Sequence, residues 1–256
     1  MSNLLGVHVV EEALRAGRPL DRIVIARGRH GTRMEEIVNR ARQQGVPVRF
    51  EDRSQLDRLA GSREHQGVVA VAASRAAMAI EDLLTKKPNN SVLVLLDGVE
   101  DPHNVGAIVR TALAAGADGL VIPERRAAGL TETVARASAG ALEHLRVARV
   151  TNLVRAMEQL KETGYWLVGL DESAKQNYTE MDFTGSVGIV LGGEGKGLHE
   201  LTRKRCDFLC SIPTRGPVRS LNVSVAAGVV LFEVVRQRAK KMDRAQSTQK
   251  SGDPHE

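Results

Sequence analysis

Apolar residues in the first part of the chain occur in short continuous runs, separated by segments with helical spacing. Three runs have the length and the Val/Ile content of β-strands: residues 22–26, 46–50 and 67–72. Between the first two runs, apolar side chains such as Met34, Ile37 and Ala41 recur at helical intervals over residues 33–44. The first 75 residues therefore predict a small α/β unit.

From residue 91 onward the same alternation continues with longer elements. Five runs of mostly Val, Ile and Leu predict strands: residues 92–96, 119–122, 166–170, 187–191 and 208–212. Helical patterns occupy residues 104–115, 151–163 and 221–238. Continuous apolar strands indicate a largely parallel sheet with both faces covered, because a half-exposed strand would alternate with polar residues. The predicted fold class is α/β.

A polar, turn-rich stretch separates these two parts of the chain and contains the sequence Lys-Lys-Pro-Asn-Asn at residues 86–90. We predict a first domain over residues 1–75, a linker over 76–90 and a second domain over 91–240. Residues 241–256 are rich in Gln, Ser, Thr and Lys, so a disordered tail is predicted there.

The composition is that of an ordinary soluble globular protein, with 42% apolar and 26% charged residues. No apolar run approaches the roughly 18–20 residues of a membrane span. Residues 1–8 lack the charged and apolar segments of a secretory signal. We therefore expect a cytoplasmic protein with no membrane partner.

The two cysteines, Cys206 and Cys210, lie in a segment that resembles a strand. Four residues of strand separate their Cα atoms by about 13 Å, which is too far for a disulfide. Two thiols without a nearby pair of histidines also make a poor metal site. We expect two reduced thiols in the core.

The net charge of +5 is concentrated in residues 1–75, which contain 13 basic and 9 acidic side chains. All 13 basic residues are arginines, and the planar guanidinium binds phosphate oxygens in a bidentate manner. This excess favours a nucleic-acid partner, although an ordinary solvated surface explains the charge equally well.

Ligands of open α/β sheets bind beyond the carboxyl ends of the strands, so the segments that follow the predicted strands are the candidate sites. After the run at 92–96, Arg110 is the only charged residue between Asp101 and Asp118. An arginine on an apolar helix needs an anionic partner or a cleft, unless its side chain extends to the solvent. Asn104 lies where a helix N-cap is expected.

A second segment, residues 192–197, has four glycines in six residues and follows the predicted strand 187–191. It is not a P-loop, because Lys196 is followed by Gly rather than Ser or Thr, and its glycine spacing differs from the dinucleotide fingerprint. The glycines allow a ligand to approach the backbone closely. Glu194 is unusual among them, although a solvated turn is the alternative explanation.

The third segment runs from Ile212-Pro213 through a Gly-Pro loop into a predicted helix. Ser220 suits the N-cap of that helix. Asn222 lies in the first turn of an otherwise apolar helix, where an amide side chain has less reason to occur.

In this order the three segments resemble the motifs of the SpoU (TrmH) family of RNA ribose 2′-O-methyltransferases. The resemblance rests on Asn104 and Arg110, on residues 191–198, and on residues 212–224, and it spans residues 91–238. Near the amino terminus, Gly6-Val7-His8 and His65-Gln66-Gly67-Val68 resemble an appended RNA-binding domain similar to a ribosomal protein. That branch of the family methylates a guanosine in the peptidyl-transferase region of bacterial 23S ribosomal RNA.

The resemblance implies a trefoil knot in the second domain, S-adenosylmethionine as the methyl donor and a homodimer. By the same resemblance, backbone groups around Gly192, Gly193, Ile212 and Leu221 hold the cofactor. No metal is expected, because the sulfonium methyl group is already activated.

The resemblance also assigns Arg110 the activation of the ribose hydroxyl. Because a guanidinium keeps its proton at neutral pH, we expect it to bind the neighbouring phosphate and stabilise the developing alkoxide. Asn104, Glu194, Ser220 and Asn222 are then expected to position Arg110, the ribose and the base. RNA contacts in the first domain are predicted at Arg22, Arg27, Arg29 and Arg33.

Three other functions stay open at this point. The first is methylation of a transfer RNA or of another site in ribosomal RNA. The second is RNA binding on this fold without catalysis. The third is nucleotide binding by the glycine-rich loop. The set of Asn104, Arg110, Glu194 and Asn222 argues against a non-catalytic protein. The missing Lys-Ser/Thr pair argues against nucleotide binding.

Overall fold

Two β-sheets organise the chain in the computed structural model, which describes residues 2–73, 77–84, 90–125, 127–217 and 220–250, with side chains through residue 243. The chain divides into two compact units. The first comprises Met1–Ala77, Asp101–Arg110 and Ala128–Leu145, and the second comprises Met78–Glu100, Thr111–Ala127 and Arg146–Glu256.

A four-stranded mixed sheet forms the centre of the first unit. Its strands are β1 (Ser2–Leu5), β2 (Leu20–Ala26), β3 (Val48–Glu51) and β4 (Val68–Ala72), and its helices are α1 (Val7–Arg15), α2 (Thr32–Gln43) and α3 (Arg53–Ala60). The strand order is β1-β4-β2-β3, in which only β2 and β3 are parallel. The predicted small α/β unit is confirmed. Sequence analysis missed β1, because Ser2 and Asn3 interrupt its apolar pattern.

A six-stranded sheet forms the second unit, and every neighbouring pair of its strands is parallel. The strands are β5 (Val92–Asp97), β6 (Gly119–Pro123), β7 (Val147–Val150), β8 (Trp166–Leu170), β9 (Val187–Gly192) and β10 (Phe208–Cys210). Their order is β10-β8-β9-β5-β6-β7. The prediction of a largely parallel sheet built from continuous apolar strands is confirmed.

Among the described residues, three of the remaining helices correspond to predicted helices, and three short ones were not predicted. These remaining helices are α4 (Ile80–Leu84), α5 (Pro102–Ala114), α6 (Glu132–Ala137), α7 (Leu153–Glu162), α8 (Glu200–Arg205) and α9 (Val223–Lys250). Two 3₁₀ turns lie at Ala141–Glu143 and Tyr178–Glu180. Sequence analysis missed α4, α6 and α8, because five or six residues are too few to establish a helical period.

Residues 128–145 pack within the first unit although they lie in the second half of the chain. The side chain of Arg18 forms an ion pair with Glu143 at 2.7 Å, and both side chains are largely buried. The Oε2 atom of Glu12 lies 2.8 Å from Nε2 of His144. The compact units therefore do not coincide with a single cut at residues 76–90.

The closing helix is longer than the predicted one and begins later. It starts at Val223 rather than residue 221, and it continues to Lys250. Residues 241–250 are thus helical rather than disordered, which fits the strong helix formers Lys240, Lys241 and Met242. Residues 251–256 of the predicted tail lie outside the described residues.

Both cysteines are free thiols, but they do not share one strand. Cys206 is the C-cap that follows α8, whereas Cys210 is the last residue of β10. Burial raises the pKa of each thiol to about 12. Both side chains are therefore protonated and uncharged at neutral pH.

Candidate active site

A cavity of about 680 Å³ lies at the carboxyl ends of β8, β9 and β10. Its lining comes from the residues that end or follow these strands, which is where α/β sheets bind ligands. The volume falls within the range of small-molecule sites. The lining includes all four residues predicted to hold the cofactor and three of the predicted catalytic residues: Gly192, Gly193, Ile212, Leu221, Glu194, Ser220 and Asn222.

The glycine-rich segment that lines this cavity is closely packed against its own backbone. A Cβ atom on Gly192 would lie 2.1 Å from the carbonyl carbon of Gly197. One on Gly193 would lie 1.9 Å from the carbonyl oxygen of Gly98. Because backbone atoms cannot give way as a flexible side chain can, only glycine fits at these two positions. The segment is a wall of the cavity, not merely a solvated turn.

Asp97, the last residue of β5, anchors both ends of this segment. Its carbonyl oxygen accepts a hydrogen bond from the Gly193 N–H at 2.9 Å. Its carboxylate is buried and accepts from the backbone N–H of His199 at 2.8 Å and from its ring Nδ1 at 2.9 Å. Sequence analysis missed both residues. Asp97 directly follows the predicted strand 92–96, so the rule that functional residues follow strands could have found it.

The third motif enters α9 through Asn222. The Asn222 Oδ1 atom accepts hydrogen bonds from the backbone N–H of Ser224 at 2.9 Å and from its hydroxyl at 2.6 Å. Asn222 is therefore the N-cap of α9, where Ser220 had been the expected cap. The two residues between Pro217 and Ser220 lie outside the described residues.

Asn104 and Arg110 lie on α5 and do not line the cavity. The helix begins at Pro102, and the Asp101 carboxylate accepts from the His103 N–H at 2.9 Å. Asn104 is therefore inside the first turn and is not the N-cap. Arg110 is exposed and forms no hydrogen bond or ion pair within the described part of the chain. Its guanidinium is available to an anion from outside the chain.

Asp171 and Arg203 are charged residues at the cavity that were not predicted. Asp171 directly follows β8, and its carboxylate accepts a hydrogen bond from the Nε of Arg203. Burial acts to raise the pKa of Asp171, but hydrogen bonds from Ser173 and Arg203 outweigh it and hold the pKa below its ordinary value. The position of Asp171 after a predicted strand was the signal that could have found it.

The four arginines predicted to contact RNA lie in the first unit, and they differ in their surroundings. Arg22 forms an ion pair with Asp21 at 2.7 Å. Arg27 lies 3.9 Å from the Asp52 carboxylate. No carboxylate among the described residues pairs with Arg29 or Arg33.

The residues that the structure describes contain no group of three or more His, Cys, Asp or Glu side chains arranged to hold a metal ion. None of the helices in this part of the chain combines the length and the apolar character needed to cross a membrane.

Two family models match the chain. The model of the SpoU rRNA Methylase family matches residues 91–232, and a model described as RNA 2′-O ribose methyltransferase substrate binding matches residues 4–78. The chain belongs to the SpoU rRNA methylase family. Its activity is therefore that of a SpoU-type RNA 2′-O ribose methyltransferase. The family predicted from the three motifs is confirmed.

Relatives from two bacteria match nearly the whole chain of this SpoU-family protein. A protein named TrmH family tRNA/rRNA methyltransferase YacO from Bacillus subtilis is 43% identical over 238 residues, covering 92% of this chain and 95% of its own. A TrmH family tRNA/rRNA methyltransferase from Staphylococcus haemolyticus is 40% identical over 245 residues, covering 94% and 98%.

Solved structures of methyltransferases share the fold. The SpoU methyltransferase AviRb from Streptomyces viridochromogenes is 28% identical with a TM-score of 0.81, covering 94% of this chain and 90% of its own. An rRNA methyltransferase from Sinorhizobium meliloti, solved with AdoMet bound, is 25% identical with a TM-score of 0.78, covering 92% and 87%. The predicted α/β fold with its N-terminal substrate-binding domain is confirmed.

Proposed function

We propose that this protein transfers a methyl group from S-adenosylmethionine to the ribose 2′-hydroxyl of a guanosine in 23S ribosomal RNA. In this proposal residues 91–240 carry the transfer and residues 1–75 bind the RNA, in the cytoplasm and without a metal ion. The observation that supports it most strongly is the cavity at the ends of β8, β9 and β10, which collects seven of the nine predicted cofactor and catalytic residues.

The walls of that cavity suit S-adenosylmethionine. The closely packed backbone at Gly192 and Gly193 can approach a ligand without side chains in between. Ile212 and Leu221 add apolar surface for an adenine, beside the polar backbone of the glycine-rich segment. When bound, the cofactor supplies an electrophilic methyl group on a sulfonium.

The chain must place the ribose oxygen and stabilise the charge that develops as the hydroxyl proton leaves. The unpaired guanidinium of Arg110 suits a phosphate next to the ribose and an alkoxide oxygen, because charge-assisted hydrogen bonds to both are strong. Glu194, Ser220 and Asn222 lie at the cavity and would position the sugar and the base. Asn104, three residues after Asp101 on α5, would orient the same substrate.

A homodimer is part of the proposal, and the outer surface of α9 supports it. Val225, Phe232 and Val235 are exposed at 52%, 51% and 37%, although they are apolar. Intervals of seven and three residues place them along one side of the helix. Light scattering should give the mass of a dimer, and Phe232→Asp should give a monomer. A wild-type monomer at micromolar concentration would contradict the dimer.

The experiment that tests the activity and the target is mapping of 2′-O-methylation in total RNA from cells with and without the gene. Loss of one methylated guanosine in 23S ribosomal RNA supports the proposal. Loss confined to a transfer RNA or to another ribosomal site overturns the target. No loss in any RNA, together with no binding of S-adenosylmethionine in calorimetry, overturns the activity and favours a non-catalytic RNA-binding protein.

A further inference from the structure

Two sequence motifs of the first unit, which the proposed transfer reaction does not use, meet in space. They are residues 6–8 at the start of α1 and residues 65–68, which lead into β4. The Gln66 Oε1 atom accepts a hydrogen bond from the Val7 N–H at 3.2 Å, and the Gly6 N–H donates to the Val68 carbonyl at 3.2 Å. Gln66 has a φ of 53°, so the backbone takes a left-handed conformation to make this contact.

These motifs border a cavity of about 500 Å³ within the first unit. Its polar lining consists of two arginines, two histidines, a threonine and a glutamine: Arg29, Arg33, His8, His30, Thr32 and Gln66. No lining residue is acidic. A site with two fixed positive charges and no carboxylate suits an anion.

The geometry of the cations supports this interpretation. An Nη1 atom of Arg33 lies 2.9 Å from Nε2 of His8, and because a guanidinium only donates, the histidine nitrogen accepts. His8 thereby orients Arg33 without neutralising it. A Cβ on Gly67 would lie 3.2 Å from Cγ of Arg29, so the small glycine leaves room for the Arg29 stem beside the motif.

We propose that this cavity binds a phosphodiester group in the backbone of the RNA substrate. The proposal rests on the proposed function and refines it, because it separates the four predicted RNA-binding arginines into two pairs. Arg29 and Arg33 bind the phosphate. Arg22 and Arg27 face Asp21 and Asp52, which offset their charge, and contribute little.

The test compares the double variant Arg29→Ala/Arg33→Ala with the matched control Arg22→Ala/Arg27→Ala in the full-length protein. The probe is deproteinised ribosomal RNA from cells that lack the gene, measured by filter binding over a range of KCl concentrations. We expect the first variant to lose about ten-fold or more in affinity at low salt. Its plot of log affinity against log salt should become less steep by about 0.7–0.9, which is the contribution of one lost phosphate contact. The control should stay within about two-fold of wild type.

Two further arms make the result decisive. Arg29→Lys/Arg33→Lys keeps both charges and should restore most of the salt slope, whereas a variant damaged in folding would not recover in this way. In the second arm, inorganic phosphate is titrated into wild-type protein and into Arg29→Ala/Arg33→Ala at constant ionic strength. Phosphate binding that depends on the two arginines, together with equal RNA affinity of both proteins, would show that the site binds free phosphate and would overturn the RNA assignment.

The proposal fails if the two double variants lose affinity equally, or if neither loses any. That failure is distinguishable from failure of the proposed function. If wild-type protein methylates the RNA at saturating concentration, the proposed function stands, whichever arginines bind the RNA. If wild-type protein binds RNA through Arg29 and Arg33 but never transfers a methyl group, the phosphate site is supported and the proposed transfer reaction is overturned.

Discussion

The carboxylate of Asp97 bonds to both the backbone and the ring of His199, at 2.8 Å and 2.9 Å, although the two residues are 102 positions apart. The Asp97 carbonyl also holds Gly193. One residue at the end of β5 thus fixes the segment that forms the glycine-rich wall of the candidate cofactor cavity. The shape of that wall depends on a buried carboxylate outside all three motifs that identified the family.

Replacing Asp97 tests this anchoring. Asp97→Ala removes both carboxylate bonds and leaves the His199 N–H without its acceptor, which costs about 1–3 kcal/mol of stability. We expect a lower melting temperature and weaker binding of S-adenosylmethionine, measured by thermal unfolding and calorimetry. His199→Ala is the matched control, because it removes only the ring contact of a side chain that is 44% exposed. Equal effects of the two variants would contradict the anchoring role of Asp97.

Arg110 should matter for catalysis and not for stability. Arg110→Ala removes an exposed side chain without a partner in the described chain, so the free energy of unfolding should change by less than about 0.5 kcal/mol. Methyl transfer should fall by about a hundred-fold or more, as expected when a group that stabilises developing charge is lost. Calorimetry with S-adenosylmethionine should show nearly unchanged affinity. Near-normal turnover would refute the role of Arg110.

The close packing at Gly193 predicts intolerance of any side chain. Gly193→Ala would bring its Cβ to 1.9 Å from the Gly98 carbonyl oxygen, so the backbone must shift. We expect a loss of about 1–3 kcal/mol of stability and weakened cofactor binding. Gly185→Ala is the control, because nothing lies within 4 Å of the added Cβ. Similar melting temperatures and cofactor affinities for both variants would show that the segment can rearrange.

The Asp171–Arg203 pair should make the stability of the protein depend on pH in the acidic range. The pKa of Asp171 is held below its ordinary value in the folded protein, so its contribution is fully present above the unfolded pKa of about 3.9. It is lost as the pH falls through the lower, folded value. Arg203→Ala should therefore reduce stability at pH 7, and its deficit relative to wild type should shrink below about pH 4. Urea unfolding at several pH values measures this difference, and a deficit that is constant with pH would contradict it.

Much of the second unit could be predicted from local patterns. Continuous runs such as residues 92–96 and 187–191 predicted buried parallel strands, and both are strands of the central sheet. The rule that ligands bind after strands selected Gly192, Ile212 and Asn222, which line one cavity. This succeeded because the carboxyl ends of parallel strands lie at the same edge of a sheet.

Short elements and caps were harder to predict. The N-cap of α9 is Asn222 and not Ser220, since the two side chains have similar capping chemistry and only the backbone path selects between them. Likewise α5 begins at Pro102, which moves Asn104 from the cap into the helix. A difference of one or two residues at a helix end is below what apolar periodicity can resolve.

The sequence by itself determined the α/β class, the parallel sheet and the family, because strand and helix periods and the three motifs are local properties of the chain. Only the tertiary structure decided that Asp97 holds His199, and that Arg29 and Arg33 share a cavity while Arg22 and Arg27 face carboxylates. The physical reason is that burial and charge pairing depend on which distant surfaces meet. The local sequence around an arginine does not determine whether a carboxylate or an open cavity lies beside it.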